Sequence, residues 1–278
     1  ELWAADTDAV RHDTGAFASA GTVVAGKALF GACTALRRRM VQIAVELAGG
    51  DAAPAAASTG GGGGAGVSAP AVGGGAGGAG SGAGDFGAEL VASGVRVGDE
   101  TMTWERIIAA APAGYLTSDG LTADGAEFGD FRSLAFNVHA ARVAVDPETG
   151  TVKVLQSIQS ADAGVVINPA QCRGQVEGGA AQGLGGALYE EVYVEDGVVQ
   201  NPVFRTYRVP QFADVPDTEV YFAETDDTLG PFGAKSMSES PYNPVGAAIG
   251  NAVSRALGRR GYELPFSRDR VWRLAGGE

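Results

Sequence analysis

Between Gly49 and Gly84 the chain is almost entirely Gly, Ala, Ser and Pro, and this stretch separates a short leading part from a long trailing one. Such a composition cannot bury enough apolar surface to offset the entropy lost on ordering a backbone, so a disordered or loosely looped insert is expected. As a flexible coil it would span about 30–35 Å, adequate to bridge two elements of one domain. It cradles no phosphate, because neither a helix nor a Lys-Ser/Thr pair follows its glycines. It also absorbs most of the excess among the 44 glycines. The organisation expected is residues 1–48, an insert at 49–84 and an α+β portion at 85–278, with the first and last forming one domain.

What remains is enough for a sizeable core: 278 residues, 45% hydrophobic. The net charge of −13 repels phosphate backbones and anionic lipid, which argues against nucleic-acid and membrane-surface partners. No apolar run approaches the roughly 20 residues that cross a bilayer. Cys33 and Cys172 are too few to hold an iron–sulfur cluster and are read as reduced residues in or near a core, as in a cytoplasmic protein. His12 and His139 belong to no zinc spacing and are read as structural. The start, Glu1-Leu2-Trp3, has neither methionine nor signal segment, which suggests a trimmed start or a piece of a longer polypeptide.

Periodicity predicts a helix over Gly26–Leu47, with Ala28, Leu29, Ala32, Leu36, Met40, Ile43 and Leu47 on its apolar stripe and Arg37, Arg38 and Arg39 toward solvent. Thr103 is expected to cap a short helix over Trp104–Ala111. Phe136–Val145 reads as a strand whose apolar phase changes, so a bulge is expected near Ala141. Asp146-Pro147-Glu148-Thr149-Gly150 is a turn into a partner strand, Thr151–Gln159. A helix over Cys172–Glu190, a two-residue hairpin at Asp196-Gly197, a strand over Thr218–Glu224 and a helix over Pro244–Leu257 follow.

Two segments carry possible chemistry. Gly174-Gln175-Val176-Glu177-Gly178-Gly179 and Gln182-Gly183-Leu184-Gly185 fall inside the predicted helix, where each glycine costs about 0.5–1 kcal/mol relative to alanine. Close approach of another helix or of a flat ligand would each offset that cost, and Gln175 and Gln182 share one face. Glu239 lies among Ser236, Met237, Ser238, Ser240 and Pro241 just before a helix, where a carboxylate is either a solvated helix-start residue or a general base. Nucleotide readings fail: Gly230–Ser236 has Ala234 where a phosphate loop needs glycine, and Gly183–Gly186 is within a helix.

In order and separation, several segments resemble the large subunits of molybdenum hydroxylases, the xanthine dehydrogenase and aldehyde oxidase family. They are Ala161–Pro169, the glycine-rich helix segment, Gly233-Ala234-Lys235-Ser236-Met237-Ser238-Glu239, Ala247–Ala252, Ala18-Ser19-Ala20-Gly21, Leu264-Pro265 and Arg270–Trp272. The resemblance implies an α+β molybdopterin-binding domain of aldehyde oxidase/xanthine dehydrogenase type, in its C-terminal half. It implies that Glu239 is the base that deprotonates a hydroxyl on molybdenum, and that the metal has no side-chain ligand and is held by the pterin. Ala18, Ser19, Ala20 and Gly21 would contact the cofactor, Gln175 the pterin, and Lys235 and Ser238 would border it. Ser238 stands where the family usually has glycine.

The activity so implied is hydroxylation of a purine-like N-heterocycle with water-derived oxygen. The alternatives are aldehyde or other N-heterocycle oxidation by the same chemistry, or a non-catalytic remnant that keeps the fold. The cofactor would be molybdenum-molybdopterin, with or without an added cytosine nucleotide, with iron–sulfur clusters and FAD on partner chains or domains. The family's glycine-rich cofactor loop has no counterpart here, so an N-terminal half of the molybdenum subunit is an expected partner and the chain alone is expected to be inactive.

Overall fold

The computed structural model describes Asp8 and residues 15–50, 87–117, 120–127 and 133–277. The expected insert lies, from residue 51, outside the described residues, as does His12. The chain divides into two compact units, Val24–Phe128 and Glu1–Val23 with Gly129–Glu278.

Helix α1, Gly21–Leu47, begins five residues ahead of its expected start. In the Val24–Phe128 unit it contributes Val41, Ile43, Ala44 and Val45 to a core shared with Ala88, Val95, Met102 and Ile107. Leu29, expected on the buried stripe, is exposed, whereas Val23 in the first turn is buried, so the apolar spacing marks the helix but not which of its positions are covered. Arg37 and Arg38 face solvent as expected; Arg39 does not, since it donates to the Thr122 carbonyl and its guanidinium lies 4.4 Å from the Tyr115 ring centroid. A three-stranded antiparallel meander, β1 (Ala88–Val91), β2 (Gly94–Val97) and β3 (Glu100–Thr103), leads into α2, Trp104–Ala110. Thr103 caps α2 by accepting from the Arg106 N–H. A small hairpin, β4 (Leu116–Thr117) with β5 (Gly120–Leu121), completes the described part of this unit.

The second unit is built on β6 (Val138–Asp146) and β7 (Thr151–Ala161), joined by a turn in which the Asp146 carboxylate accepts from the Glu148 and Thr149 N–H groups and the Thr149 hydroxyl. Gly150 closes the turn at φ 68°, and a β-carbon there would fall 1.8 Å from the Arg268 carbonyl. The bulge is real but sits on the other strand. Arg142 pairs with Gln156 and Val143 with Val154, so Leu155 of β7 is the extra residue. β6 itself alternates without interruption, and Phe136 and Val138 point outward. The phase change is taken up by β7, where burial passes from Val154 to Ser157, Gln159 and Ala161.

Helix α3 (Pro169–Leu188) starts three residues early because Asn168 caps it, accepting from the Gln171 N–H, and Pro169 fits its first turn. Strands β8 (Val194–Glu195) and β9 (Val198–Val199) flank Asp196 and Gly197, both at positive φ as a two-residue hairpin turn requires. β10 (Thr218–Phe222) joins β7 in parallel, giving the order β10-β7-β6. Helix α4 (Val245–Leu257) and α3 bury Leu184, Leu188, Val245, Ile249 and Val253 with Val154 of the sheet. Helix α5 (Arg268–Ala275) adds Val271 to the same core. Among the described residues, no helix is long and apolar enough to cross a membrane.

Candidate functional site

The segment from Gly230 to Asn243 carries Glu239, and the sheet end of the second unit shapes its beginning. Gly233 (φ 83°) and Phe232 (φ 56°) turn the chain so that Ala234 bridges to Gly164. The Val165 N–H donates to the Gly233 carbonyl and the Lys235 N–H to the Ala163 carbonyl, both at 2.9 Å. Glycine is needed at 164, since φ is 60° and a β-carbon would lie 2.3 Å from the Gly233 oxygen.

Beneath this crossing lies Asp162, 4% exposed. It accepts from Lys235 Nζ (2.9 Å), Thr225 Oγ1 (2.5 Å), and the Gly164 and Phe136 N–H groups. Burial by itself would raise the carboxyl pKa; the four donors outweigh it and hold it below the usual carboxylate value. Lys235 therefore directs its ammonium into the protein, to Asp162, and is itself largely covered.

Next, Met237 drops into a small core with Ala161, Ala163 and Val176, which brings the chain across α3. Gly179 and Gly183 make the crossing possible. A β-carbon on Gly179 would lie 2.8 Å from Pro241 Cβ, and one on Gly183 2.6 Å from Val245 Cβ. Close approach of a neighbouring element thus explains these two glycines. Gly174 and Gly178 are different, for a β-carbon there meets nothing within 4 Å. They lie on an exposed stripe of α3 with Gln171, Gln175 and Gln182. Gln175 Nε2 donates to the Ser238 carbonyl at 2.7 Å. From below, the buried Gln159 donates through Nε2 to the Pro241 carbonyl at 2.7 Å, and its Oε1 is buried without a partner.

Glu239 is exposed and is tied to Ser19, 220 residues away. The Ser19 hydroxyl donates to Glu239 Oε2 and accepts from the Glu239 N–H, each at 2.9 Å. Ala18 and Ser19 both adopt left-handed conformations, φ 51° and 59°. Ala20 follows with its N–H on the Phe17 carbonyl, and Gly21 opens α1. Of the residues proposed from the sequence, Ser19, Gln175, Ser238 and Glu239 thus meet through direct bonds. Lys235 joins through the loop it anchors, and Ala18, Ala20 and Gly21 flank Ser19 in the chain.

Asp162 and Gln159 were not singled out as site residues. The available signal was weak: Gln159 stands in a strand that already mixes polar and apolar residues, and Asp162 directly follows that strand. His139 is structural, its Nε2 3.0 Å from Ser157 Oγ and its pKa lowered by burial. Both cysteines are free, but Cys33 is exposed and not in a core; Cys172 is half-buried, which raises its thiol pKa. Among the described residues, no group of three or more His, Cys, Asp or Glu gathers as a metal site. A groove of about 1010 Å³ runs along Thr151–Gln156, Asp214–Asp217 and Arg268, but none of the residues gathered around Glu239 lines it.

Residues 50–216 match the family model of the molybdopterin cofactor-binding domain. The chain belongs to this domain family of the molybdenum hydroxylases. It is 36% identical over 140 residues to the putative xanthine dehydrogenase molybdenum-binding subunit XdhA of Escherichia coli K12, covering 50% of this chain and 19% of that one. It is 35% identical over 165 residues to the aldehyde oxidoreductase molybdenum-binding subunit PaoC of the same organism, covering 58% and 22%. The fold superposes on quinoline 2-oxidoreductase from Pseudomonas putida 86 with a TM-score of 0.74 at 25% identity, covering 95% of this chain and 31% of that one. The chain thus spans about a fifth of the length of these curated relatives. Members of the family to which it is similar are molybdenum-dependent oxidoreductases.

Proposed function

We propose that this chain supplies the general-base wall of a molybdenum hydroxylase that oxidises a carbon of a purine-like N-heterocycle, with Glu239 as the base. The observation that carries the reading is the exposed carboxylate of Glu239, fixed by Ser19 beside an α3 surface that Gly174 and Gly178 leave bare. A base must come within reach of the proton it takes, and a carboxylate open on one side leaves room for a substrate to approach.

The residues present fit a flat pterin. At Gly174 and Gly178 the exposed stripe of α3 offers main chain without side-chain obstruction, Gln175 offers an amide beside them, and Ala18 and Ala20 add only methyl groups, and Gly21 none, beside Ser19. These residues would hold the cofactor, with or without a cytosine nucleotide, while Lys235 and Ser238 keep the loop along its border. The molybdenum group, when bound, would supply the two-electron oxidant and an acidified water-derived oxygen. The chain's own part is to accept a proton at the Glu239 carboxylate and to hold the loop still while it does so.

The remaining wall would come from an N-terminal half of the molybdenum subunit, with iron–sulfur and FAD groups on further partners in the cytoplasm. Alone, the chain is inactive on this reading. Support for an N-heterocycle comes from relatives named for xanthine and quinoline; a relative named for aldehydes, at 35% identity against 36% for the xanthine one, favours a second reading, aldehyde oxidation by the same base.

In the assembled, cofactor-loaded subunit, Glu239→Gln should lower turnover by about 10²–10⁴-fold with molybdenum content unchanged. Near-parental turnover in a fully loaded variant would refute the assignment. Comparing kcat/KM for hypoxanthine and for an aromatic aldehyde on the parent enzyme separates the two substrate readings. An assembled subunit that takes up no molybdenum would instead mark a non-catalytic remnant.

A further inference from the structure

We infer that Ser19 is a positioning residue for Glu239, and that its hydroxyl is committed to the carboxylate and cannot donate to a bound cofactor. The inference rests on the reading of Glu239 as the base and concerns how that base is aimed.

A glutamate on an exposed loop explores several rotamers, and only some would point at a substrate-side proton. Ser19 removes that freedom with one hydroxyl used twice, since it accepts from the Glu239 N–H and donates to Oε2, each at 2.9 Å. The two bonds grip the main chain and the far end of the same side chain, so they define the torsions between them. A hydroxyl has a single hydrogen. With that hydrogen on Oε2 and one lone pair facing the Glu239 N–H, Ser19 retains only an acceptor site for anything else.

The backbone points the same way. Ala18 and Ser19 are consecutive non-glycine residues at φ 51° and 59°, one residue ahead of α1. L-residues avoid this region because Cβ crowds the following carbonyl, and two in succession persist only where the surroundings over-determine them. Glycine would adopt the bend freely, yet serine stands at 19. The side chain is therefore what the position needs.

The test uses the assembled, cofactor-loaded subunit with Ser19→Ala and Ser19→Gly, alongside Glu239→Gln. Kinetics and molybdenum content are measured, and the orientation of the Glu239 carboxylate is read from crystal structures of parent and variants. Loss of a hydrogen bond to an ionised group should lower kcat about tenfold or more in both serine variants, with KM and molybdenum content unchanged. The carboxylate should pass from one orientation to several. If Ser19 matters only to the shape of the bend, Ser19→Gly will be at least as active as the parent, and the inference falls. It falls equally if turnover drops while the carboxylate keeps a single orientation, for the hydroxyl then acts elsewhere. Should Glu239→Gln keep its turnover, the base reading is what fails. The lock is then judged by orientation alone, and a single orientation in Ser19→Gly overturns it.

Discussion

The loop that carries Glu239 is held by contrasting means at its start and around the carboxylate itself. At Ala234 and Lys235 the anchors are internal: a main-chain bridge to Gly164 and an ion pair whose Asp162 carboxylate is almost wholly covered. At Ser238 and Glu239 they are side chains reaching across exposed surface, Gln175 and Ser19. Helix α3 repeats the contrast, with Gly179 and Gly183 occupied by neighbours and Gly174 and Gly178 open. Covered anchors are costly to break, because a lost partner strands a buried polar group. Exposed bonds exchange with water at small cost, so they give direction and little stability. The site therefore has a rigid base and an aimed but replaceable edge.

The largest expected effect comes from breaking the covered end. Lys235→Met leaves Asp162 buried without its cation and should destabilise the folded subunit by about 3–5 kcal/mol, read as a lower urea midpoint. Acid should act on the same group. Its folded pKa is depressed, so its contribution is fully present above the ordinary carboxylate value of 3.8 and is lost as pH falls below that through the folded value. Asp162→Asn should flatten this acid limb. An unchanged limb would show that the covered end owes its stability to other groups.

Gly183→Ala probes the packed part of α3. Its new β-carbon would meet Val245 at its branch point, 2.6 Å away, and that side chain is itself fully buried. A loss of about 1–3 kcal/mol is expected, outweighing alanine's better helix propensity. A more stable variant would mean that α3 and α4 separate readily and that the contrast within α3 is overstated.

How much of this was legible beforehand depended on the distance between partners in the chain. The β6–β7 hairpin could be read because its turn chemistry lies within five residues, yet its bulge falls on β7 and not on β6 near Ala141. The apolar residues at 136 and 138 suggested a phase change in β6, whereas they are exposed and Leu155 is the residue out of step. The meander β1–β3 escaped notice because each four-residue strand has one or two buried positions, too few to show alternation. Parallel pairing of β10 with β7 joins Thr218 to Ser157 across a helix and a hairpin, which no local pattern encodes. Within the site, Gln175 and Glu239 stood out as residues, but the bond from Ser19 spans 220 positions and only family resemblance put both in one place. Asp162 drew no notice as an anchor, because a lone aspartate after a strand usually marks a turn and its donors come from four separate segments.

The smallest effect is the most informative about the open edge. Gly178→Ala adds a methyl group where nothing lies within 4 Å, on a helix whose glycines are individually unfavourable. In the absence of cofactor the variant should be more stable by about 0.5–1 kcal/mol, since alanine restricts the unfolded chain and favours the helix. If the bare stripe is where the pterin lies, the same methyl group should lower molybdopterin content in the assembled subunit even as the protein melts at higher temperature. The opposing signs separate this role from packing, where stability and loading would fall together as for Gly183→Ala. Gain of stability with full loading would place the cofactor elsewhere and leave the glycines at 174 and 178 without a ligand to account for them.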